Sequence, residues 1–357
     1  MRVALGLSGG VDSTIAAILL KEQGYDVIGI TMAKWNPESG ILTRDKRGCF
    51  GPSEPDALIS AERAAKKLGI EHHIIRLDDE FKVDVLDYFT STYALGKTPN
   101  PCVMCNQQIK FGALITKARE LGLNFDYFAT GHYAQASYSE ELNRWQLFQA
   151  ADKRKDQSYF LSFLTQEQIA SSLFPLGGMQ KDDIREFART RGFEYLIKKK
   201  ESQDFLESNN MLPLFRNANF APGDFVDSRG NILGKHKGLI HYTIGQRKGL
   251  GLAGFDSPRY VISLNHRENK VVIGKEEDLY KDELLAVNMN WVSIPEPTAE
   301  LRCEAKVRLA QEPVSCTIIK EDILWKVRFD EPVSAITPGQ ILALYDGEML
   351  LGAGFIL

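Results

Sequence analysis

The first 130 residues alternate short apolar runs with stretches whose apolar residues recur every three or four positions. Apolar runs at 2–7, 27–31 and 73–77 predict strands, and helical spacing at 12–23, at 53–68 and from about 81 to 95 predicts helices between them. Ser53 and Asp56 resemble a capping box at the start of the second helix. A further helix and strand end at Thr130, so the pattern predicts an α/β layer with a doubly wound parallel sheet.

The sequence pattern changes after about residue 202, where Gly, Asn, Asp and Lys at turns separate shorter apolar segments. From about residue 285, alternating runs at 301–309, 315–320 and 323–329 are typical of a small antiparallel β-barrel. We therefore predict a catalytic domain over residues 1–201, a small connecting domain over 202–280 and a C-terminal β-barrel over 281–357.

Composition restricts the class of protein. With 357 residues, 44% of them hydrophobic, the chain can bury more than one core, and its net charge of −4 does not indicate a polyanion partner for the whole surface. Nucleic-acid contact would have to be local, at Lys198 to Lys200 or at Arg247 with Lys248, which are otherwise solvated charges. The sequence has no apolar run of membrane-spanning length and no signal-peptide pattern, so we expect a cytoplasmic protein without a membrane partner.

A glycine-rich segment follows the first predicted strand and opens the first predicted helix. Free amides and a helix N-terminus at such a turn favour an anion, and the glycines let it approach the backbone. The segment fits neither the Walker pattern nor the dinucleotide fingerprint. It resembles the pyrophosphate loop of the ATP pyrophosphatase superfamily, which implies ATP cleavage between the α- and β-phosphates. Its residues are Gly6, Leu7, Ser8, Gly9, Gly10, Val11, Asp12 and Ser13.

Asp12 has two interpretations. An anionic residue beside a polyphosphate suits a bridging Mg²⁺, and a carboxylate in the first turn of a helix also complements the helix dipole.

Two of the five cysteines lie close together in a proline-rich segment. Cys102 and Cys105 fall within 98–106, which we predict to be a stiff loop ahead of a helix that begins near Ile109. Amides at a helix start lower a thiol pKa, so exposed, reactive thiols are expected here, with two structural cysteines as the alternative.

The motifs occur in the order found in the tRNA-specific 2-thiouridylase family, and the resemblance runs nearly end to end. The matching strings are SGGVDS at Ser8, Met32 with Trp35, TPNPC and CN around Cys105 with Lys110-Phe111, ATGHYA at Ala129, KDQSYFL at Lys155, FPLG at Phe174, KESQD at Lys200, YTIGQRKGLG at Tyr242, TPGQ at Thr337 and YDG at Tyr345.

This resemblance implies roles for named residues. Residues 6 to 13, with Met32 and Gly131, would hold ATP, and Cys105 would be the thiol nucleophile. Asn100, Pro101 and Cys102 would border the target uracil. The residues that would face tRNA are His132, Lys155, Asp156, Gln157, Arg308 and Gln340.

The chain departs from the family pattern at two positions. Cys102 stands where many members carry an aspartate, and Leu206 stands where they carry a second catalytic cysteine. Cys303 and Cys316 fall on predicted barrel strands, where cysteine acts as a small hydrophobe. We therefore hypothesise a [4Fe–4S] cluster ligated by Cys49, Cys102 and Cys105, with zinc, or an incidental Cys49, as alternatives.

The resemblance implies 2-thiolation of the wobble uridine of tRNA. In that reaction ATP adenylates the uracil oxygen, and sulfur then displaces AMP, arriving as a Cys105 persulfide or an iron-bound sulfide. The donor would be a sulfur-carrier protein, a desulfurase or free sulfide. A different adenylating enzyme acting on a small acid, and a non-catalytic metal-sensing RNA-binding protein, are the alternatives.

Overall fold

A parallel sheet forms the centre of the N-terminal half. The structure is a computed structural model that describes residues 1–198, 202, 204–215 and 221–357. The sheet has the order β4-β2-β1-β5-β8, and each neighbouring pair is parallel. Its strands are β1 Arg2–Gly6, β2 Asp26–Ala33, β4 His72–Arg76, β5 Tyr127–Ala129 and β8 Ser172–Leu173. The order reverses at β1, which places a topological switch point beside the loop that follows β1.

Helices cover this sheet. The α-helices are α1 Val11–Glu22, α2 Glu54–Leu68, α3 Asp78–Phe81, α4 Tyr88–Ala94, α5 Pro101–Met104, α6 Leu114–Glu120, α7 Gln166–Ala170, α8 Lys181–Thr190 and α9 Glu194–Ile197. Two π-helical segments, Lys82–Asp87 and Cys105–Ala113, connect α3 to α4 and α5 to α6, and short 3-10 turns lie at Pro37–Ser39, Ser158–Leu161, Leu212–Phe215, Leu239–His241 and Glu276–Leu279. The predicted doubly wound α/β layer is therefore confirmed.

Two local predictions were wrong. Ser53 makes no side-chain capping bond at the start of α2; its backbone N–H donates to Glu207 instead. The segment predicted as a proline loop up to Ile109 is already helical at Pro101, because Pro suits the first helical position and the Asn100 side chain accepts from Val103 N–H. Cys102 and Cys105 therefore lie on a helix.

The C-terminal residues close into a barrel. Residues 280–356, all of them described, form six antiparallel strands in the order β14-β17-β16-β15-β18-β19, and pairing of β14 with β19 closes the barrel. Its strands are β14 Tyr280–Trp291, β15 Leu301–Lys306, β16 Val314–Glu321, β17 Leu324–Ser334, β18 Ile341–Asp346 and β19 Met349–Ile356. This confirms the predicted barrel.

A hairpin from the N-terminal half extends this barrel sheet, which the sequence analysis missed. Strands β6 Ala134–Ser139 and β7 Arg144–Gln149 pair with each other, and β7 pairs with β19. One core cluster accordingly joins residues of the parallel sheet to Ile341, Tyr345 and Leu350 of the barrel. The barrel is thus fixed to the first domain by shared hydrophobic packing.

Two smaller sheets complete the described structure. The connecting region holds a four-stranded sheet of order β11-β10-β13-β12, packed on its own core around Phe225 and Tyr242. Its strands are β10 Gly223–Val226, β11 Ile232–His236, β12 Tyr260–Asn265 and β13 Lys270–Gly274. A separate pair, β3 Gly48–Phe50 with β9 Asp204–Leu206, is parallel. Among the described residues, we find no helix with the length and apolar character needed to cross a membrane.

Candidate functional site

The glycine-rich loop links β1 to α1 and is held by hydroxyl groups. The Ser13 side chain accepts from Ser8 N–H at 3.2 Å and lies 3.1 Å from the Ser8 hydroxyl, and Thr14 donates to Gly10 O at 2.8 Å. Gly10 is the N-cap of α1 and supplies no side-chain acceptor. The first amides of this twelve-residue helix are therefore left for an anion.

Two glycines are required by close packing around this loop. Gly9 has φ +67°, and a Cβ there would lie 2.5 Å from Ala61 N. A Cβ on Gly131 would lie 2.9 Å from Ser13 N, so the segment after β5 packs directly on the start of α1. Met32 is half-buried near the end of the neighbouring strand β2. The sequence-predicted ATP residues thus meet at the carboxyl edge of the sheet, where parallel α/β sheets bind ligands.

Asp12 already has protein partners. Lys181 Nζ lies 2.6 and 2.8 Å from its two carboxylate oxygens, and Tyr133 OH donates to Oδ1 at 2.6 Å. The Lys181 side chain is only 3% exposed. As placed, Asp12 is an ion-pair partner that ties α1 to the start of α8, and its contact with Mg²⁺ stays a prediction. Sequence reasoning missed Lys181, because no local pattern reveals a pair 169 positions apart.

The two helical cysteines are protected from solvent to different degrees. Cys105 is buried and Cys102 half-buried. Burial first, then the nearby Cys49 and Cys105, raises the pKa of Cys102 to about 12. Burial also raises the pKa of Cys105, and the positive charge of Lys110 opposes that rise. The expectation of exposed thiols with lowered pKa values was therefore wrong, because desolvation outweighs the helix amides here.

These pKa directions predict how the thiols react with an alkylating reagent. Both cysteines should be thiols at neutral pH, so their alkylation rate should rise about tenfold per pH unit from pH 7 to 9. Peptide mass spectrometry after timed iodoacetamide pulses measures this. Lys110→Gln should slow Cys105 further at each pH, since it removes an opposing charge. A rate for Cys105 that levels off below pH 8 would contradict the assignment.

Cys49 is the third cysteine of the hypothesised metal site, but the three thiols do not form such a site. It is exposed on β3, and its charge opposes ionisation of both Cys102 and Cys105. Within the described residues, no group of three His, Cys, Asp or Glu side chains is arranged to hold a metal ion. The cysteines as placed therefore do not fit a cluster. Cys303 and Cys316 lie apart, as predicted, buried and paired across β15 and β16 in the barrel core.

His132 lies beside the cysteine helix. Its ring nitrogens are 2.8 Å from Thr130 Oγ1 and 3.4 Å from Lys110 Nζ. Burial, with a smaller effect from Lys110, holds the pKa of His132 well below its ordinary value. A neutral imidazole between the glycine-rich loop and the thiols can donate or accept a hydrogen bond without adding charge.

The segment with Lys155, Asp156 and Gln157 is ordered by its own polar side chains. Asp156 accepts from the backbone N–H groups of Ala150 and Ser158, and Gln157 accepts from Tyr133 N–H at 3.0 Å. Asp156 and Gln157 therefore shape the loop beside the site. Whether they also contact tRNA stays a prediction, as it does for the half-buried Lys155.

Gln340 holds the segment that precedes the cysteine helix. Its amide donates to Thr98 O at 3.1 Å and to Pro99 O at 2.9 Å, and Thr98 N–H donates to Pro338 O. The next residues, Asn100 and Pro101, are buried at the helix start. The barrel thus positions the residues predicted to border the uracil. Arg308, by contrast, is exposed, and its guanidinium donates to the Ser334 carbonyl at 3.1 Å.

Removing this support should cost stability. Gln340→Ala loses two hydrogen bonds and should lower the free energy of unfolding by about 1–3 kcal/mol. Arg308→Ala, an exposed change on the same barrel, should stay within about 0.5 kcal/mol. Urea unfolding measures both. Equal stabilities for the two variants would show that Gln340 does not support the cysteine helix.

Of the two basic groups predicted to contact tRNA, one is fully described. Arg247 and Lys248 are exposed on a loop of the connecting region. Lys198 is described, whereas Lys199, Lys200 and most of the KESQD motif lie outside the described residues.

Comparison with known families covers almost the whole chain. Residues 1–206 match the family model described as the tRNA methyl transferase HUP domain. Residues 214–275 match the tRNA methyl transferase PRC-barrel domain, and residues 281–356 match the aminomethyltransferase beta-barrel domain.

Individual relatives agree over the full length. The tRNA-specific 2-thiouridylase MnmA of Clostridioides difficile strain 630 is 44% identical over 362 residues, covering 99% of this chain and 98% of that protein. The MnmA of Trichormus variabilis is 44% identical over 360 residues, with the same two coverages. The MnmA 2 of Caldanaerobacter subterraneus subsp. tengcongensis is also 44% identical, and the alignment covers 99% of this chain and 97% of that protein. By this similarity and by its three-part architecture, the chain belongs to the tRNA-specific 2-thiouridylase family.

Proposed function

We propose that this chain uses ATP to replace the 2-oxygen of the wobble uridine of tRNA by sulfur. The observation that carries the proposal is the juxtaposition of a glycine-rich anion loop with a pair of cysteines under the C-terminal barrel. Gly131 packs on the loop, and the next residue, His132, contacts Lys110 of the cysteine helix. The names of the relatives support the tRNA 2-thiouridylase assignment.

The first step is adenylation. The amides of residues 11–13 would hold the β,γ-pyrophosphate of ATP at the start of α1, which leaves the α-phosphate open to attack. The uracil O2 attacks that phosphorus, and pyrophosphate departs. A base in the anticodon loop must leave its stack to reach this edge of the sheet, so a flipped uridine is expected.

The second step is sulfur addition. A persulfide on Cys105 attacks C2 of the adenylated base, and AMP leaves with the original oxygen. The buried position of Cys105 keeps water from competing for the activated carbon. The neutral imidazole of His132 would hydrogen-bond beside the thiols, and the positive charge of Lys110 would balance negative charge there.

Two other chemistries fit less well. A methyl transferase, which the descriptions of two family models name, does not need an ATP-type loop beside two cysteines. An adenylating enzyme that acts on a small acid does not need a barrel whose Gln340 holds the segment before the cysteine helix.

A direct assay tests the proposal. Purified protein with tRNA transcript, ATP and a persulfide donor should release AMP and pyrophosphate in amounts equal to the 2-thiouridine found by nucleoside mass spectrometry. Release of ADP, or AMP without any sulfur-bearing base, would overturn the proposal. Iron and acid-labile sulfide analysis after anaerobic purification decides the sulfur carrier: iron-free protein that thiolates tRNA supports the persulfide and ends the cluster hypothesis.

A further inference from the structure

The side chain of Lys181, from the start of α8, lies against the glycine-rich loop. Its ammonium is 2.6 and 2.8 Å from the two carboxylate oxygens of Asp12, the second residue of α1. We propose that Lys181 is a positioning residue for ATP, which neutralises the Asp12 carboxylate so that the first amides of α1 can hold the polyphosphate. This inference rests on the proposed use of ATP and adds to that site a residue from another helix.

A carboxylate at this position opposes the binding of a polyphosphate. The Asp12 N–H is one of the amides at the start of α1 that receive no acceptor from within a helix, so the carboxylate and the proposed phosphate site belong to the same residue. Alone, that carboxylate would repel the phosphates and would itself be attracted to the positive end of the helix dipole. The contact with Lys181 opposes both effects, because the pair carries no net charge and its geometry fixes where the carboxylate lies.

Tyr133 fixes the same carboxylate from a third segment. Its hydroxyl donates to Asp12 Oδ1 at 2.6 Å, and Lys181 Nζ lies 5.4 Å from the centre of its ring. The backbone of Tyr133 exchanges two hydrogen bonds with Gln157, since its N–H donates to Gln157 Oε1 at 3.0 Å and its C=O accepts from Gln157 N–H at 2.9 Å. Tyr133 is therefore itself held in place, and two side chains from separate segments orient Asp12.

The position of Lys181 does not depend on its ion pair alone. Its backbone N–H donates to Asp152 Oδ2 at 3.1 Å, and the buried Asp152 accepts from Nε and Nη2 of Arg154, each at 3.0 Å. Residues of α1 and α8 also pack in one core cluster. A change of the Lys181 side chain should therefore alter the charge beside Asp12 without releasing α8 from α1.

Burial favours a pair that persists when ATP binds. The side chain of Lys181 is almost completely buried, whereas that of Asp12 is partly exposed. If Asp12 turned to a bound Mg²⁺, the ammonium would stay buried without that carboxylate beside it, which is costly. Coordination of Mg²⁺ by Asp12 is the competing hypothesis, and under it Asp12→Asn weakens ATP binding whichever residue stands at position 181.

The test is calorimetric titration of the full-length protein with ATP and Mg²⁺. Lys181→Met removes the charge and suits the buried position, and it should lower ATP affinity at least about tenfold, because the Asp12 carboxylate then repels the phosphates. Adding Asp12→Asn to Lys181→Met removes that repulsion and should restore the affinity to within about threefold of wild type. Asp12→Asn alone should bind ATP no more weakly than wild type, since it leaves an additional positive charge beside the phosphates.

Lys117→Met is the matched control. Lys117 pairs with Glu80 at 2.7 Å and joins α6 to α3, neither of which carries a residue of the glycine-rich loop. This variant loses the same charge and should leave ATP affinity within about twofold of wild type. Urea unfolding of every variant measures stability separately. A merely structural role for Lys181 would lower stability and ATP affinity together, and Asp12→Asn would not rescue the affinity.

ATP binding by Lys181→Met as tight as that of wild type would overturn the inference. So would a double variant that binds ATP no better than Lys181→Met, or a loss of more than about tenfold in Asp12→Asn alone, since either result assigns Asp12 to the metal ion. Should Lys181→Met fail to fold, the double variant and Asp12→Asn decide between the two hypotheses. If wild type itself binds no ATP, the proposed function has failed, and not merely this inference.

Discussion

Cys105→Ser should reduce 2-thiouridine formation at least about a thousandfold, since a hydroxyl cannot carry a sulfane sulfur. The residue is buried within the core shared by the sheet and the barrel, on the helical run that begins at Pro101. Adenylation needs only the loop at 8–13, so AMP should still be released as water replaces sulfur. Nucleoside mass spectrometry and AMP quantification measure the two products separately.

The matched control is Cys316→Ser. Cys316 is fully buried in the barrel core, away from the cysteine helix, and the same atom change there also buries a hydroxyl. It should cost stability without changing the ratio of thiolated base to AMP. Thiolation by Cys105→Ser at more than a tenth of the wild-type rate would remove Cys105 from the nucleophile role.

Gly9→Ala should weaken ATP binding about a hundredfold and destabilise the fold. The new Cβ would lie 2.5 Å from Ala61 N and 2.7 Å from Ser60 C, and backbone atoms of α2 cannot move aside cheaply. The positive φ of +67° adds strain for any residue with a Cβ. We expect a loss of at least about 2 kcal/mol in the free energy of unfolding and of about a hundredfold in ATP affinity. Urea unfolding and calorimetric titration measure these.

The control variant Gly24→Ala separates the effect of backbone strain from that of steric clash. Gly24 follows α1 with φ +87°, and nothing lies within 4 Å of a Cβ placed there. It should show the conformational cost alone, about 1 kcal/mol, with ATP affinity unchanged. If Gly9→Ala bound ATP as tightly as Gly24→Ala, the loop would not be the nucleotide site.

The parallel sheet and the barrel were determined by local sequence patterns. Apolar runs separated by helical spacing specify a sheet with helices on its faces, and alternating runs at 301–329 specify barrel strands, because burial depends on side-chain periodicity. The glycine-rich loop, the cysteine pair and the family resemblance were also readable, since each is a contiguous string.

Only the tertiary structure decided which distant groups meet. It paired Asp12 with Lys181, placed Gln340 on the segment before Cys102, and set Cys49 on a strand beside β9. It also reversed the expected thiol pKa values, because desolvation depends on what packs around Cys105 and not on its neighbours in sequence. Such contacts join residues up to 242 positions apart, and their energies depend on geometry that no local pattern encodes.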